Sequence, residues 1–214
     1  KMSHHENTAI RNEAAGAIGN LKSRGVEGTV ERIIELMEDE NDDVRKTAYK
    51  NAGYLADDRV VEPIAKALMD PDQVDFHGPC MDSLTKLWLD FPNHENTSEK
   101  AYRATIDYLK YTPRSKDVPS FSAISQVHSS KSEGEKFDAW KQKATYYKPN
   151  EIVEPMFEIL KDPEIGWIAG TTAVKVVKKY GTQEQFNSLR SIIEGSGNPD
   201  QNHILEVYDE EAEE

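Results

Sequence analysis

The strongest constraint on the fold of this chain is that it repeats itself. Val61-Glu62-Pro63 leads to Leu68-Met69-Asp70-Pro71, and Val153-Glu154-Pro155 leads to Leu160-Lys161-Asp162-Pro163 at the same internal spacing. Upstream, Ile10-Arg11, Ala14, Gly19 and Leu21 recur 34 residues later as Val44-Arg45, Ala48, Gly53 and Leu55. A period of about 20 to 50 residues marks stacked units that bury their apolar faces against neighbours. Within a unit the apolar spacing is helical, with Val44, Ala48, Ala52 and Leu55 near i, i+4, i+8 and i+11. The pattern predicts an all-α superhelical solenoid of about five helix pairs.

The first pair is expected at about 8–21 and 29–38. The second starts at a cap on Asp42 or Asp43 and continues with a helix over 58–69, where Pro63 is early enough to cost no intrahelical bond. A more divergent third pair is expected at 79–89 and 98–111, and a fifth at 166–180 and 183–194. The fourth keeps its repeated helix at 150–161 but carries an insertion over about 111–148. That stretch holds seven Lys or Arg against four Asp or Glu, a local +3, and includes an aromatic stripe with Phe137, Trp140 and Tyr147. Residues 1–198 thus read as one repeat domain. Residues 199–214, with seven acids and no Lys or Arg, read as an acidic, solvated C-terminal tail that could fold back on the basic insertion.

Charge restricts the partner class. The net charge is -13, of which -6 belongs to residues 1–198, and neither duplex nucleic acid nor an anionic membrane is the expected ligand of such a balance. No window approaches the roughly 18 apolar residues of a membrane span. One cysteine, Cys80, excludes an internal disulfide, and the start of the chain lacks a basic and then apolar leader pattern, so a cytoplasmic location is expected.

The segments VRKTAYKNAGYL and DRVVEPIAKALMDPD resemble HEAT repeats, especially the short variety of phycobilisome lyases. The resemblance implies antiparallel helix pairs stacked in a right-handed superhelix with the second helix of each pair on the concave side. It also implies a bond between an Asp after that helix and an Arg in the next unit. Asp39 and Arg45 occupy those positions, whereas Phe76 and Ile168 stand six residues beyond Asp70 and Asp162, so the ladder is expected to break.

Candidate chemistry is sparse. His5-Glu6-Asn7-Thr8 recurs as His94-Glu95-Asn96-Thr97, and paired His-Glu ligands are a feature of the HEAT-like, iron-dependent deoxyhypusine hydroxylases. Here Asn12-Glu13 and Lys46-Thr47 stand where such ligands would lie, so the duplicated segments are read as helix starts. His77 and Cys80 lack the second ligand pair that zinc requires. No catalytic residue, metal or cofactor is assigned.

On the second helices, Glu31 and Glu35 are one turn apart, as are Glu154 and Glu158, and Glu62 aligns with Glu31 and Glu154. These carboxylates, with Lys66, Arg103 and Trp140, form the expected partner-binding set, suited to a protein or a basic peptide segment. The chain is therefore expected to be a noncatalytic protein-binding scaffold or adaptor. Two other readings compete with it. One is a pigment or cofactor lyase-like accessory protein, which the resemblance implies. The other is a nucleic-acid-binding protein or DNA glycosylase, in which Trp140, Trp167, Tyr146 and Tyr147 would stack on a base.

Overall fold

A computed structural model describes residues 4–22, 26–89, 95–111, 142 and 144–213. Among them every regular element is helical. The chain divides into two compact units, residues 1–108 and 109–214.

The first unit contains α1 (Thr8–Lys22), α2 (Thr29–Leu36), α3 (Asp42–Ala52), α4 (Val61–Met69) and α5 (Val74–Leu89), with most of α6 (Glu95–Tyr111). Single 3-10 turns, Asp58–Val60 and Pro71–Gln73, lead into α4 and α5. Helices α1, α3 and α5 pack in sequence as one layer, while α2 lies against α1 and α3 and α4 lies against α5. Ile33, Leu36, Leu55, Ile64, Leu68, Met81 and Leu84 fill the core between them. The recurring glycine has a packing reason. A Cβ on Gly53 would come within 2.8 Å of the Ser83 Cα, so the end of α3 approaches α5 as only glycine allows.

The second unit repeats this scheme with α7 (Pro149–Lys161), α8 (Trp167–Tyr180), α9 (Gln183–Gly195) and α10 (Gln201–Glu213). Helix α8 packs on α7 and α10, and α9 contacts all three. A Thr182–Gln185 capping box starts α9. Gly170 of α8 faces Ile204 of α10, and Lys178 of α8 donates to the Glu211 carbonyl, so α8 and α10 run parallel as α3 and α5 do.

The repeated Asp has a local function. Asp39, Asp70 and Asp162 each accept the backbone N–H two residues on, from Asn41 at 3.0 Å, Asp72 at 2.9 Å and Glu164 at 2.9 Å. Asn198 makes the same bond to the Asp200 N–H at 2.7 Å. These side-chain turns end the second helix of a pair and direct the chain into the next unit.

Three expectations need correction. Residues 201–213 are a packed helix and not a solvated tail: Ile204 and Tyr208 are buried, and the Tyr208 ring stacks on Phe186 with centroids 4.8 Å apart. One turn of helix separates the two apolar residues, a narrow stripe that the surrounding acids outnumber. Helix α5 begins at Val74, five residues before the expected start, with Pro79 inside it. Burial of Phe76, 5.7 Å from Tyr49, and of His77 outweighs the single backbone bond that Pro79 forfeits.

The ladder between units also differs from its expected form. The Asp39 carboxylate is held by Arg11 of its own unit, while Arg45 of the next unit donates to the Asp39 backbone carbonyl at 2.6 Å. Where Phe76 replaces the next arginine, His77 Nε2 donates to the Asp70 carbonyl at 2.9 Å, and the Arg45 guanidinium lies over the Phe76 ring at 5.0 Å. The arginine is lost at this junction, but the carbonyl it would satisfy is not orphaned.

Candidate functional site

The sequence-selected carboxylates project from the second helix of each pair. Glu31 and Glu35 lie on α2, Glu62 on α4, and Glu154 and Glu158 on α7, and all five side chains are exposed. Their alternate neighbours Ile33, Ile64 and Met156 are buried, which orients each helix and turns the acids outward.

In the first unit, Glu31 borders an open groove of 570 Å³ lined by Val26, Glu27, Thr29, Val30 and Arg59. Arg59 is the organising group. Its Nε and Nη2 bond both Asp57 oxygens at 2.9 Å, and Nη1 reaches Glu31, tying α2 to the turn before α4. Its own backbone N–H, followed by the Arg59 guanidinium, holds the Glu31 carboxyl below the usual carboxylate range. The paired arginine titrates above its ordinary value, chiefly through its Asp57 bonds. Lys100 of α6 pairs with Asp58, and Arg103 lies 4.0 Å from Glu99 and over the Tyr102 ring at 5.6 Å. Glu35 pairs with Arg32. Lys66 and Glu62 are exposed, and among the described residues neither has an ion-pair partner within 4.0 Å.

In the second unit, Glu154 and Glu158 share a groove of 560 Å³ with Lys110, Lys161, Pro155 and Phe157. Lys161 is 2.7 Å from Glu158, and Lys110 is 3.9 Å from Glu154. Pro155 and Phe157 give the groove an apolar component between two carboxylates and two ammonium groups.

The acids selected from sequence therefore occur in two places, Glu31, Glu35 and Glu62 in one unit and Glu154 and Glu158 in the other. Sequence reasoning missed Arg59, Asp57, Asp58 and Lys100, which cross-link successive helices. Glu31 and Arg59 are 28 residues apart, so no local pattern pairs them. Trp140 lies outside the described residues, as does most of the basic insertion. Tyr146 and Tyr147, named as base-stacking candidates, are buried, so their faces are not open to a base.

Around His5, Asn7 Oδ1 accepts the Ala9 N–H at 2.8 Å, the geometry of a helix cap. Cys80 is fully buried, and burial pushes its thiol up. Among the described residues no three His, Cys, Asp or Glu side chains group as a metal site, and no helix is long and apolar enough to cross a membrane.

The family model described as HEAT repeats matches residues 1–75, from α1 to the first turn of α5. No curated protein matches the chain. The matched residues and the all-helical repeats place the chain among helical-repeat solenoids, a class commonly used as protein-interaction scaffolds.

Proposed function

We propose that this protein is a noncatalytic scaffold or adaptor that binds a Lys- or Arg-rich segment of a partner protein on its exposed carboxylate faces. The observation that carries this reading is the groove of α7, where Glu154 and Glu158 flank the partly exposed ring of Phe157 above buried Pro155. Exposed ion pairs such as Lys161–Glu158 are worth on the order of 0–1 kcal/mol and exchange partners readily, so an incoming cation can replace Lys161. In the first unit Glu62 supplies a further exposed acid on α4, three residues after Arg59. Several such charges acting together with an apolar anchor give specificity that one pair cannot.

A peptide array tests the proposal. The full chain is expected to retain Lys- or Arg-rich sequences over sequences with Asp or Glu at the same places, and to lose that preference when Glu154 and Glu158 are changed to Lys. Equal retention of all arrays, or a preference the variant keeps, contradicts the proposal.

A further inference from the structure

The corner where α8 begins presents a different surface. Six large apolar residues are exposed among the described residues: Val26, Tyr54, Met69, Val74, Trp167 and Ile168. Tyr54 is covered by the Lys86 ammonium at 4.3 Å, and Val26, Met69 and Val74 are apart from one another in the chain. Only Trp167 and Ile168 are adjacent, and they are 50% and 46% exposed at the start of a helix whose next residues, Ala169 and Gly170, are buried. A half-exposed tryptophan beside an aliphatic side chain is the composition of an interface anchor.

The corner is fixed in place. Asn198 is buried, and its Nδ2 donates to the Ile165 carbonyl at 2.8 Å, fastening the loop before Trp167 to the loop before α10. The His203 ring of α10 lies 6.2 Å from the indole, and His203 Nδ1 is 3.3 Å from Glu206 Oε2. The apolar pair is therefore held on a clasped junction between two packed helices.

Its charge setting identifies what it fits. Residues 162–174 contain Asp162 and Glu164 but no Lys or Arg, and residues 191–214 contain no Lys or Arg. On α8 and α9, Lys178 donates to the Glu211 carbonyl and Arg190 pairs with Asp209, while Lys175 lies more than two helical turns beyond Trp167. Exposed Glu164 precedes Trp167 by three residues, and exposed Glu206 reaches the site through His203. An exposed indole in a stretch whose charged neighbours in the chain are carboxylates attracts a planar cation, and guanidinium both stacks on tryptophan and pairs with a carboxylate, which ammonium does less well. A phosphate-bearing ligand would meet Glu164 and Glu206 as like charges.

We infer that the Trp167–Ile168 corner is a docking site for an arginine-bearing segment of a partner protein. The guanidinium stacks on the Trp167 indole and pairs with Glu164 or Glu206, and a neighbouring aliphatic side chain of the segment covers Ile168. This site is separate from the α2, α4 and α7 carboxylates of the proposed function and stands or falls independently of them.

The test uses the full chain, ¹⁵N-labelled, and an acetylated, amidated Gly-Gly-Arg-Leu-Arg-Gly-Gly peptide, with Lys-for-Arg and Glu-for-Arg versions. The Trp167 indole N–H resonance is assigned from Trp167→Phe. The Arg peptide is expected to move that resonance while leaving the buried Trp88 resonance in place. The Lys peptide should bind more weakly and the Glu peptide not at all. Trp167→Ala, and Glu164→Gln combined with Glu206→Gln, should each raise Kd about fivefold or more. An unmoved Trp167 resonance in the wild type overturns the inference whatever the variants do. Binding that survives Trp167→Ala but is lost with Glu154→Lys also overturns it, and moves recognition to the α7 groove.

Discussion

The Arg11 guanidinium grips the Asp39 carboxylate with two N–H donors, Nε at 2.7 Å and Nη2 at 2.9 Å, joining the first helix of one unit to the turn that ends the unit. Both side chains are 9% exposed. Arg11 also donates to the His5 and Glu6 carbonyls at 3.0 Å and 2.9 Å, so one guanidinium organises the entry to α1 and the exit from α2. Bidentate pairs of this kind are the stronger ones because geometry and charge act together.

The Arg11 bonds hold the Asp39 carboxyl below the usual carboxylate range. The Asp72 N–H, followed by the Gln73 amide, does the same for Asp70. A carboxyl whose folded pKa is depressed contributes stability that is present above its unfolded value of about 4 and lost as pH falls through the lower folded value. Urea midpoints measured from pH 6 down to pH 2.5 should therefore fall most steeply below about pH 4. Asp39→Asn should lower the midpoint at pH 6 and flatten the acid limb. An unchanged acid limb in that variant contradicts the assignment.

Ser83 of α5 caps the end of α3 from the side. Its hydroxyl accepts the Gly53 N–H at 3.1 Å and donates to the Tyr49 carbonyl, and it is fully buried. Ser83→Ala leaves those groups without this partner and should cost about 1–3 kcal/mol in urea denaturation. Gly53→Ala should also destabilise, because the new Cβ would meet Ser83 backbone that cannot move cheaply. A neutral result for both would show that α3 and α5 do not meet as described.

Helix α10 yields the clearest contrast with a solvated tail. Removing Ile204 or Tyr208 takes a buried side chain from the face packed on α8 and α9. Ile204→Ala should destabilise by about 2–5 kcal/mol. Deleting residues 201–214 should lower the thermal midpoint further and expose Phe186. A solvated tail would predict no change from either alteration, and differential scanning calorimetry distinguishes the two.

How far the sequence determines this picture depends on the kind of residue. Duplicated Asp70-Pro71 and Asp162-Pro163 mark real helix ends because each aspartate caps its own turn, an interaction confined to three residues. The apolar spacing of α3, α4 and α7 was legible because each buries one stripe. Helix α10 was not, since only Ile204 and Tyr208 are buried in a segment dominated by acids. The carboxylates on α2, α4 and α7 are exposed, but the pairing of Glu31 with Arg59 was hidden. Arg59 meets Glu31 only after the chain has folded through α3, and no local pattern records that approach. Likewise His77 takes over a bond from the missing arginine, a substitution of chemistry that a residue-by-residue ladder cannot register.

The Glu31–Arg59–Asp57 arrangement also predicts how binding can be tuned. Arg59→Ala removes the cation from two carboxylates at once and should return Glu31 toward its ordinary titration range. It should speed association with an oligolysine probe, by about two- to fivefold at low salt, with the gain disappearing above a few tenths molar salt. Stopped-flow measurement at two salt concentrations checks this, and an unchanged association rate at low salt argues against a binding role for that face.

The measurement that bears most directly on the proposed function is affinity capture from native lysate followed by binding of the purified, identified partner. Wild type is compared with a Glu31, Glu62, Glu154 and Glu158 to Lys variant of verified helicity. The account predicts a discrete partner with a basic segment, retained by wild type, lost by the variant, and bound more weakly as salt rises. Equal retention by both proteins, or a purified partner whose affinity is indifferent to the four substitutions, contradicts it.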